Sequence, residues 1–156
     1  MIRVILPGSY DPITLGHVDI IRRAAQRYES VYVVAFINPE KEYLFSPADR
    51  LHMLRLATEE MENVTVDFSE GRVVDYMREK GISKIIKGYR NETDLEYERR
   101  QAEYNFLHGG YETELIKSSD EYIEVSSTLA REKIKAGDTL LQVLPEKVIT
   151  FITDKH

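Results

Sequence analysis

The sequence predicts an α/β fold in which helices cover both faces of a doubly wound, five-stranded parallel sheet. Two observations indicate this fold. Five short runs rich in β-branched and aromatic residues alternate along the chain with longer amphipathic runs. Turn residues separate these runs, and no internal repeat or linker interrupts the order. Because a helix follows each strand, successive strands run in parallel, and a parallel sheet is covered on both faces.

Composition and length favour one soluble domain spanning residues 1–156. The chain has 156 residues, of which 42% are hydrophobic and 31% charged, a balance typical of globular proteins. It contains no cysteine, which excludes disulfide bonds and thiolate zinc sites. The first apolar run has about five residues, too few for a secretory signal, and no run approaches a membrane span. We therefore expect a cytoplasmic protein that does not engage a membrane.

The net charge of −6 comes from 27 acidic and 21 basic residues and disfavours general binding of nucleic acid. A small polyanion can still bind, because salt screens charges beyond about 8 Å and only a local cluster matters. Whether the basic residues converge is therefore the decisive question for function.

The first strand, Ile2–Leu6, is predicted from an unbroken apolar run, and the first helix from apolar residues at helical spacing between Val18 and Tyr28. Between them lies the turn Gly8–His17, where the carboxyl end of a strand meets the amino end of a helix. Ligands bind at this edge of a parallel sheet, and free N–H groups there attract anions. The imidazole of His17 can donate a hydrogen bond to a phosphoryl oxygen. The turn is therefore a candidate phosphate site, although ordinary connections with a structural histidine have the same pattern.

The second strand, Ser30–Ile37, ends in an Asn-Pro loop that carries Lys41. A serine–proline pair at Ser46 predicts the start of the next helix, which runs to about Met61. Lys41 is therefore placed on the same edge of the sheet as His17. Since most loop lysines are only solvated, its contact with phosphate is a hypothesis at this point.

Two further strand–helix units follow. The third strand is Val64–Phe68, and the helix after it ends at Gly81. The fourth strand, Lys84–Lys87, leads into a second glycine turn, Gly88–Asn91, flanked by a lysine and by Arg90. Arginine binds phosphate through two parallel hydrogen bonds, which lysine cannot do. This turn is therefore a second candidate contact for phosphate.

The last third of the chain contains a long helix over 93–107, along which Leu95, Arg99, Ala102 and Phe106 fall roughly in line. The fifth strand is Glu112–Lys117. Three hydroxyl residues at 126–128 open the following helix; one of them caps it, and the others are a surplus suited to the oxygens of a polyphosphate. A last helix follows Pro145, and its apolar face packs either on the body or on a neighbouring subunit.

Polar and basic residues thus gather on one edge of the sheet, which random surface charges would not do. With these residues the chain resembles the bacterial phosphopantetheine adenylyltransferases, of the nucleotidyltransferase superfamily with a T/HxGH motif. The resemblance spans essentially the full length and is carried by PGSYDPITLGH, NPEK, KGYRNETDLEYE and VSST, together with Asn105 in the long helix. It implies a Rossmann-like fold. It also implies transfer of the adenylyl group of ATP to 4′-phosphopantetheine, giving dephospho-coenzyme A and pyrophosphate.

The resemblance implies a role for each matching residue. His17 and Lys41 are implied to be catalytic, at the α-phosphate of ATP and between the reacting phosphates. The residues implied to bind the phosphorylated acceptor are Ser9, Lys41, Val73, Lys87 and Asn105. Those implied to bind ATP are Ser9, Tyr10, His17, Gly88, Tyr89, Arg90, Glu98, Tyr122, Ser126, Ser127 and Thr128. Further implications are Mg²⁺ held by phosphates and water without a metal-ligating residue, inhibition by coenzyme A, and a homohexamer.

Three positions depart from the family pattern. Ser9 replaces a usual threonine and keeps the hydroxyl, whereas Lys87 replaces a usual arginine and loses its fork. Arg72 replaces a usual apolar residue beside the pantetheine arm. Other members of the superfamily, such as nicotinamide-mononucleotide adenylyltransferases and cytidylyltransferases, usually carry His where this chain has Thr14. These activities stay open as alternatives, as does a nucleotide-binding sensor, although mere binding has no use for a histidine donor at a reacting phosphate.

Overall fold

Five parallel strands form one sheet in the order β3-β2-β1-β4-β5, in a computed structural model that describes residues 2–155. The outermost positions of the predicted domain, 1 and 156, lie outside the described residues. The strands are β1 Arg3–Gly8, β2 Ser30–Phe36, β3 Val64–Ser69, β4 Lys84–Tyr89 and β5 Glu112–Lys117. The helices are α1 Leu15–Arg27, α2 Pro47–Thr58, α3 Val73–Lys80, α4 Glu92–Gly109, α5 Ser127–Ala136 and α6 Glu146–Lys155, with a 3₁₀ turn at Asp120–Tyr122.

Side chains of each strand alternate between two apolar layers, one on each face of the sheet. In β1, Val4 and Leu6 belong to the layer formed with α1, α2, α5 and α6, while Ile5 belongs to the layer formed with α3. α4 lies against β4 and β5. The predicted α/β fold, a doubly wound and Rossmann-like parallel sheet, is therefore confirmed.

The strands β1 and β4 diverge towards their carboxyl ends, and this divergence creates the space for a ligand. β1 pairs with β2 over its whole length, but it pairs with β4 only at Val4 with Lys84 and at Ile5 with Ile85. Strand order reverses between β1 and β4, so this is the position where doubly wound sheets bind ligands. The side chain of Lys87 crosses the gap and donates to the carbonyl of Pro7 at 3.0 Å.

Two predicted boundaries differ from the structure at the same edge of the sheet. β1 continues to Gly8, and β4 continues through Gly88 to Tyr89, so the second glycine turn begins only after the strand. Gly88 pairs with Ile116 of β5, and a side chain at Gly88 would come within 3.1 Å of Ile20. The glycine is therefore needed for packing inside the strand. The helix predicted to run to about Met61 ends earlier, at Thr58.

The four residues of α4 that fall in line along the sequence do not share one environment. Phe106 is 55% exposed and Arg99 is also exposed, whereas Glu98 is only 6% exposed. Leu95 and Ala102 are half-buried, as their spacing predicts. The helix places a carboxylate inward because it borders a polar cavity, and apolar periodicity alone does not reveal such a boundary.

The C-terminal helix packs on its own chain. Val148 and Ile152 of α6 are 0% and 5% exposed and join the layer that contains α1 and α2. This decides between the two alternatives left open for its apolar face. Within residues 2–155, none of the helices has the length and apolarity to cross a membrane.

Candidate functional site

A cavity of about 350 Å³ lies at the carboxyl ends of β1 and β4, and we call it cavity 1. It brings together side chains from the turn after β1, the loop after β2, the end of β4 and the start of α5. The sequence-predicted residues that line it are Ser9, Tyr10, His17, Lys41, Lys87, Gly88, Arg90, Ser126, Ser127 and Thr128. Distant parts of the chain therefore converge on one space, as the strand-end positions predicted.

A second cavity of about 320 Å³, cavity 2, lies on the α4 side and shares Pro7, Gly8, Ser9 and Lys87 with cavity 1. The sequence-predicted residues that line it are Ser9, Val73, Lys87, Glu98 and Asn105. Glu98 was predicted to contact ATP, yet it lies in cavity 2 and not in cavity 1. Tyr89 and Tyr122 line neither cavity. The two cavities meet at Ser9 and Lys87, so ligands in both would touch there.

His17 is held in one tautomer by a reciprocal cap at the start of α1. The backbone N–H of Thr14 donates to Nδ1 of His17 at 2.9 Å, and the hydroxyl of Thr14 accepts from the backbone N–H of His17 at 3.3 Å. Since Nδ1 accepts, the proton of the neutral ring is on Nε2. Among residues 2–155, no acceptor is bound to Nε2–H. His17 therefore presents one hydrogen-bond donor without adding a charge.

The neutral state of His17 is enforced by its surroundings. Burial, together with the positive charges of Lys87 and Arg90, lowers the pKa of His17 from 6.5 to about 4. The ring of Tyr10 packs edge-on against the imidazole, with centroids 5.0 Å apart. Near pH 7 the imidazole is therefore a neutral, fixed donor in a positively charged environment.

Tyr10 shapes the turn in which His17 sits. Its backbone has the left-handed φ of 49°, which is uncommon for a residue with a side chain. Its hydroxyl donates to the carbonyl of Leu6 at 2.8 Å, and its ring lies 3.1 Å from where a side chain on Gly8 would begin. Gly8 is therefore needed because the tyrosine ring folds back over the strand end.

The cations of cavity 1 differ in how far they are neutralised. Lys87 lies 3.2 Å from the carboxylate of Glu98, and Arg90 lies 3.2 Å from that of Asp94. Burial raises the pKa of Glu98, while the adjacent Lys87 opposes that rise. Lys41 forms no ion pair with any of the described residues. It is therefore the cation most available to an incoming anion.

The hydroxyls at the start of α5 are more committed to the protein than the sequence suggested. Ser126 accepts from the N–H of Leu129 as the N-cap, as expected. Ser127 donates to the carbonyl of Pro12 at 2.8 Å, and Thr128 accepts from Arg131 at 3.2 Å. The expected surplus of free hydroxyls is therefore reduced. The helix start still offers N–H groups, because the first N–H groups of a helix have no partner within it.

Comparison with known families agrees with this geometry. A model of the cytidylyltransferase-like family matches residues 5–133, from β1 into α5. The chain belongs to the cytidylyltransferase-like family. The matched range contains all residues that line cavities 1 and 2. Membership in the cytidylyltransferase-like family indicates nucleotidyl transfer, and it leaves the base and the acceptor open.

Two arginines belong to this cytidylyltransferase-like site that the sequence did not single out. Arg131 lines cavity 1 and donates to the carbonyl of Asp11 at 2.9 Å. Its place in the second turn of α5, five residues after the capping Ser126, is the signal that could have found it. Arg50, in the first turn of α2, donates a hydrogen bond to the carbonyl of Ser9 at 3.0 Å. No pattern in the sequence distinguishes Arg50 from any other helix arginine.

A magnesium site built by the protein would need several oxygen ligands close together. Within residues 2–155, no cluster of three or more His, Asp or Glu side chains has suitable geometry. Among the described residues, Asp94 supplies the one carboxylate that lines cavity 1. The side chain and the backbone N–H of Arg90 both already bind this carboxylate. This donor set fits a magnesium ion that arrives on the phosphates of a nucleotide better than one bound by protein carboxylates.

Proposed function

We propose that this protein transfers the adenylyl group of ATP to 4′-phosphopantetheine, giving dephospho-coenzyme A and pyrophosphate. The observation that carries the proposal is the neutral imidazole of His17, which presents Nε2–H at a cavity lined by cations. A donor without charge is suited to a phosphoryl oxygen that gains charge during the reaction. A protein that only stores or senses a nucleotide does not need such a donor at this position.

In the proposed reaction, an oxygen of the acceptor phosphate forms a bond to the α-phosphorus of ATP. The bond between the α-phosphorus and the oxygen that bridges to the β-phosphorus breaks, and its electron pair leaves with pyrophosphate. The nucleophile is already an anion, so no protein base is needed. The protein's task is to align the two phosphates and to stabilise charge on the α-phosphate oxygens. His17 donates to one of those oxygens, and Lys41 lies between the reacting phosphates.

The leaving pyrophosphate is assigned to the side of cavity 1 formed by α5 and Arg90. The amino end of α5 favours negative charge, and the side chain of Arg90 can bind two phosphate oxygens at once. The backbone N–H groups at 127 and 128 bind part of the pyrophosphate, which the sequence alone assigned to the serine and threonine hydroxyls. Ser127 instead holds the turn that carries His17, through the carbonyl of Pro12.

The acceptor is assigned to cavity 2. Its wall combines apolar side chains such as Phe36 and Val73 with amide groups such as that of Asn105. This combination suits a long chain that contains methylene and amide groups. The acceptor's phosphate would lie where the cavities meet, beside Ser9 and Lys87. Unlike the arginine usual in the family, Lys87 has no fork that binds two phosphate oxygens at once. Its contact with phosphate is therefore a single hydrogen bond.

Mg²⁺ is proposed to enter bound to the phosphates of ATP and to reduce their negative charge. Feedback inhibition by coenzyme A and a cytoplasmic location are proposed from the resemblance. A homohexamer is proposed on the same ground, and one structural feature supports assembly: α4 exposes the apolar side chains of Tyr97, Tyr104, Phe106 and Leu107. Light scattering tests this, and a monomer with full activity would contradict it.

The decisive experiment is a pyrophosphate-release assay with each acceptor in turn. Purified protein is incubated with ATP or CTP and with 4′-phosphopantetheine, nicotinamide mononucleotide or a phosphorylated alcohol. We expect pyrophosphate only with ATP and 4′-phosphopantetheine, and dephospho-coenzyme A as the second product. Release with another acceptor or with CTP assigns a different transferase activity. ATP binding without release from any acceptor supports the sensor alternative.

A further inference from the structure

Arg50 is a buried cation that has no carboxylate partner among residues 2–155. It lies on α2 and is 1% exposed. One of its nitrogens donates to the carbonyl of Ser9 at 3.0 Å, while Nε and the second terminal nitrogen are buried without an acceptor among the described residues. Its guanidinium lies against the ring of Tyr43, with Cζ 4.0 Å from the ring centroid. Burying an incompletely paired charge is unfavourable, so an apolar residue would be expected if this position served packing alone.

The two contacts of Arg50 reach two different loops. Ser9 belongs to the turn after β1, which carries His17. Tyr43 belongs to the loop after β2, which carries Lys41, and its hydroxyl accepts from the backbone N–H of Asn38 at 2.9 Å. Tyr43 thus closes the short segment in which Lys41 lies. Arg50 therefore links the two loops, contacting both from its position on α2.

A second link joins the same two loops. The buried carboxylate of Asp11 accepts from the N–H of Leu44 at 2.8 Å and from that of Phe45 at 2.9 Å. This link holds the end of the loop where α2 begins, and it does not contact the segment before Tyr43. Within this segment the N–H of Lys41 donates to the carbonyl of Asn38 at 3.0 Å, and the contact between Tyr43 and Arg50 joins the turn to α2. Lys41 itself has no ion pair within residues 2–155 that would fix it.

We propose that Arg50 is a positioning residue that places Lys41 and Ser9 relative to each other. It acts on Ser9 through the backbone carbonyl and on Lys41 through the ring of Tyr43. This inference rests on the proposed function, because the two positioned groups are assigned to the reacting phosphates. The planar guanidinium is needed, since it stacks on a ring and donates a hydrogen bond in its own plane at the same time. A lysine ammonium cannot do both.

The first test uses hydrogen–deuterium exchange without any substrate. We expect Tyr43→Leu and Arg50→Lys to speed exchange of the peptide covering 38–43, while Arg55→Lys, an exposed arginine on the same helix, leaves it unchanged. Tyr43→Phe keeps the ring over the guanidinium and is expected to speed exchange only at Asn38. Unchanged exchange over 38–43 in Tyr43→Leu would overturn the inference. Because Tyr43 is half-buried in a loop, this variant tests the idea even if Arg50→Lys fails to fold.

The second test uses turnover. We expect Tyr43→Leu and Arg50→Lys to lower kcat about tenfold and to change the KM for ATP less than about threefold, because misplaced groups affect the transition state most. The double variant should lose no more than the worse single variant, since both changes break one contact. Tyr43→Phe keeps the ring over the guanidinium but loses the hydrogen bond from Asn38, so it should lower kcat less than Tyr43→Leu. Losses that multiply, or a Phe variant as poor as the Leu variant, would overturn the inference.

If the wild-type protein releases no pyrophosphate with any acceptor, the proposed function fails, and the exchange result alone decides whether Arg50 holds the loop.

Discussion

Charged side chains cluster at both ends of the sheet, but the two clusters are built differently. At the amino end, the carboxylate of Glu114 on β5 is surrounded by Arg27, by the hydroxyl of Tyr28 at 2.8 Å and by Lys84 at 3.0 Å. At the carboxyl end, four cations line cavity 1, and Asp94 is the one carboxylate that lines it among residues 2–155. The first cluster is closed on itself, whereas in the second Lys87 and Arg90 are paired with carboxylates and Lys41 has no ion pair among residues 2–155.

The difference shows how charge is divided between stability and binding. A carboxylate with three partners from other elements ties helix α1 to β4 and β5, and it needs no ligand. An excess of cations in a cavity is unfavourable in the absence of an anion and becomes favourable when a polyphosphate enters. In a protein with a net charge of −6, four cationic side chains thus gather around one cavity at the edge of the sheet. Four predictions test this comparison.

The largest expected effect is on turnover in His17→Ala. Loss of the donor at the α-phosphate should lower kcat about 10²–10³-fold, because the contact strengthens in the transition state. ATP binding, measured by calorimetry, should stay close to wild type. If ATP binding falls by the same factor, His17 binds the ground state or supports the fold, and it has no catalytic role in cavity 1.

Removal of the unpaired cation should have the next largest effect. We expect Lys41→Met to lower kcat about 10–10²-fold, because a lysine in an exposed loop is less preorganised than His17. Lys117→Met is the matched control, since Lys117 is an exposed lysine at the end of β5 that lines neither cavity. Equal losses in both variants would show that net positive charge matters and that its position does not.

The closed cluster should affect stability and not turnover. The hydrogen bond from Arg27, with those from Tyr28 and Lys84, lowers the pKa of Glu114 from 4.5 to about 2. Glu114→Gln should therefore destabilise the fold by about 1 kcal/mol near pH 7, a modest value because the cluster is partly solvated. Glu112→Gln, on the exposed side of the same strand, is the control.

The pH dependence of that effect follows from the sign of the shift. A carboxylate with a lowered pKa stabilises the fold above its unfolded pKa, and this contribution is lost as the pH falls from about 4.5 towards 2. Urea unfolding of wild type and Glu114→Gln should therefore converge near pH 2. A stability difference that persists there, or a changed kcat at pH 7, would contradict the assignment.

The smallest expected effect is an absence of titration near neutral pH. Since the pKa of His17 in the free protein is lowered from 6.5 to about 4, the profile of kcat/KM, which reports the free enzyme, should show no inflection from this residue near pH 6.5. In the free protein, NMR of the imidazole should show the neutral ring down to about pH 5. The stabilising contribution of the neutral ring is lost as the pH falls from 6.5 through 4. Added ATP should raise the pKa, because the triphosphate favours the charged ring. A pKa near 6.5 in the free protein would remove the argument for a neutral donor.

The placement of candidate residues could be predicted where it depended on local patterns. His17, Lys41 and Arg90 follow strands, and parallel strands bring their carboxyl ends to one edge, so their convergence followed from the fold. The burial of Glu98 beside cavity 2 did not follow from the sequence, because it depends on how α4 lies against the sheet, and the predicted contact of Glu98 with ATP stays a prediction. The sequence also did not predict that Ser127 donates to the carbonyl of Pro12, because this acceptor is 115 residues away in the chain.

The sequence by itself determined the fold class, the order of the elements and the edge on which the polar residues meet. These follow from the spacing of apolar residues and from turn and capping residues, which are local properties. Tertiary structure alone decided that β1 and β4 pair at only two positions and then separate, which opens two joined cavities. It also decided the tautomer of His17, the burial of Arg50 and the lack of an ion pair for Lys41 within residues 2–155. These depend on contacts between residues far apart in the chain, and no local pattern encodes the distance between them.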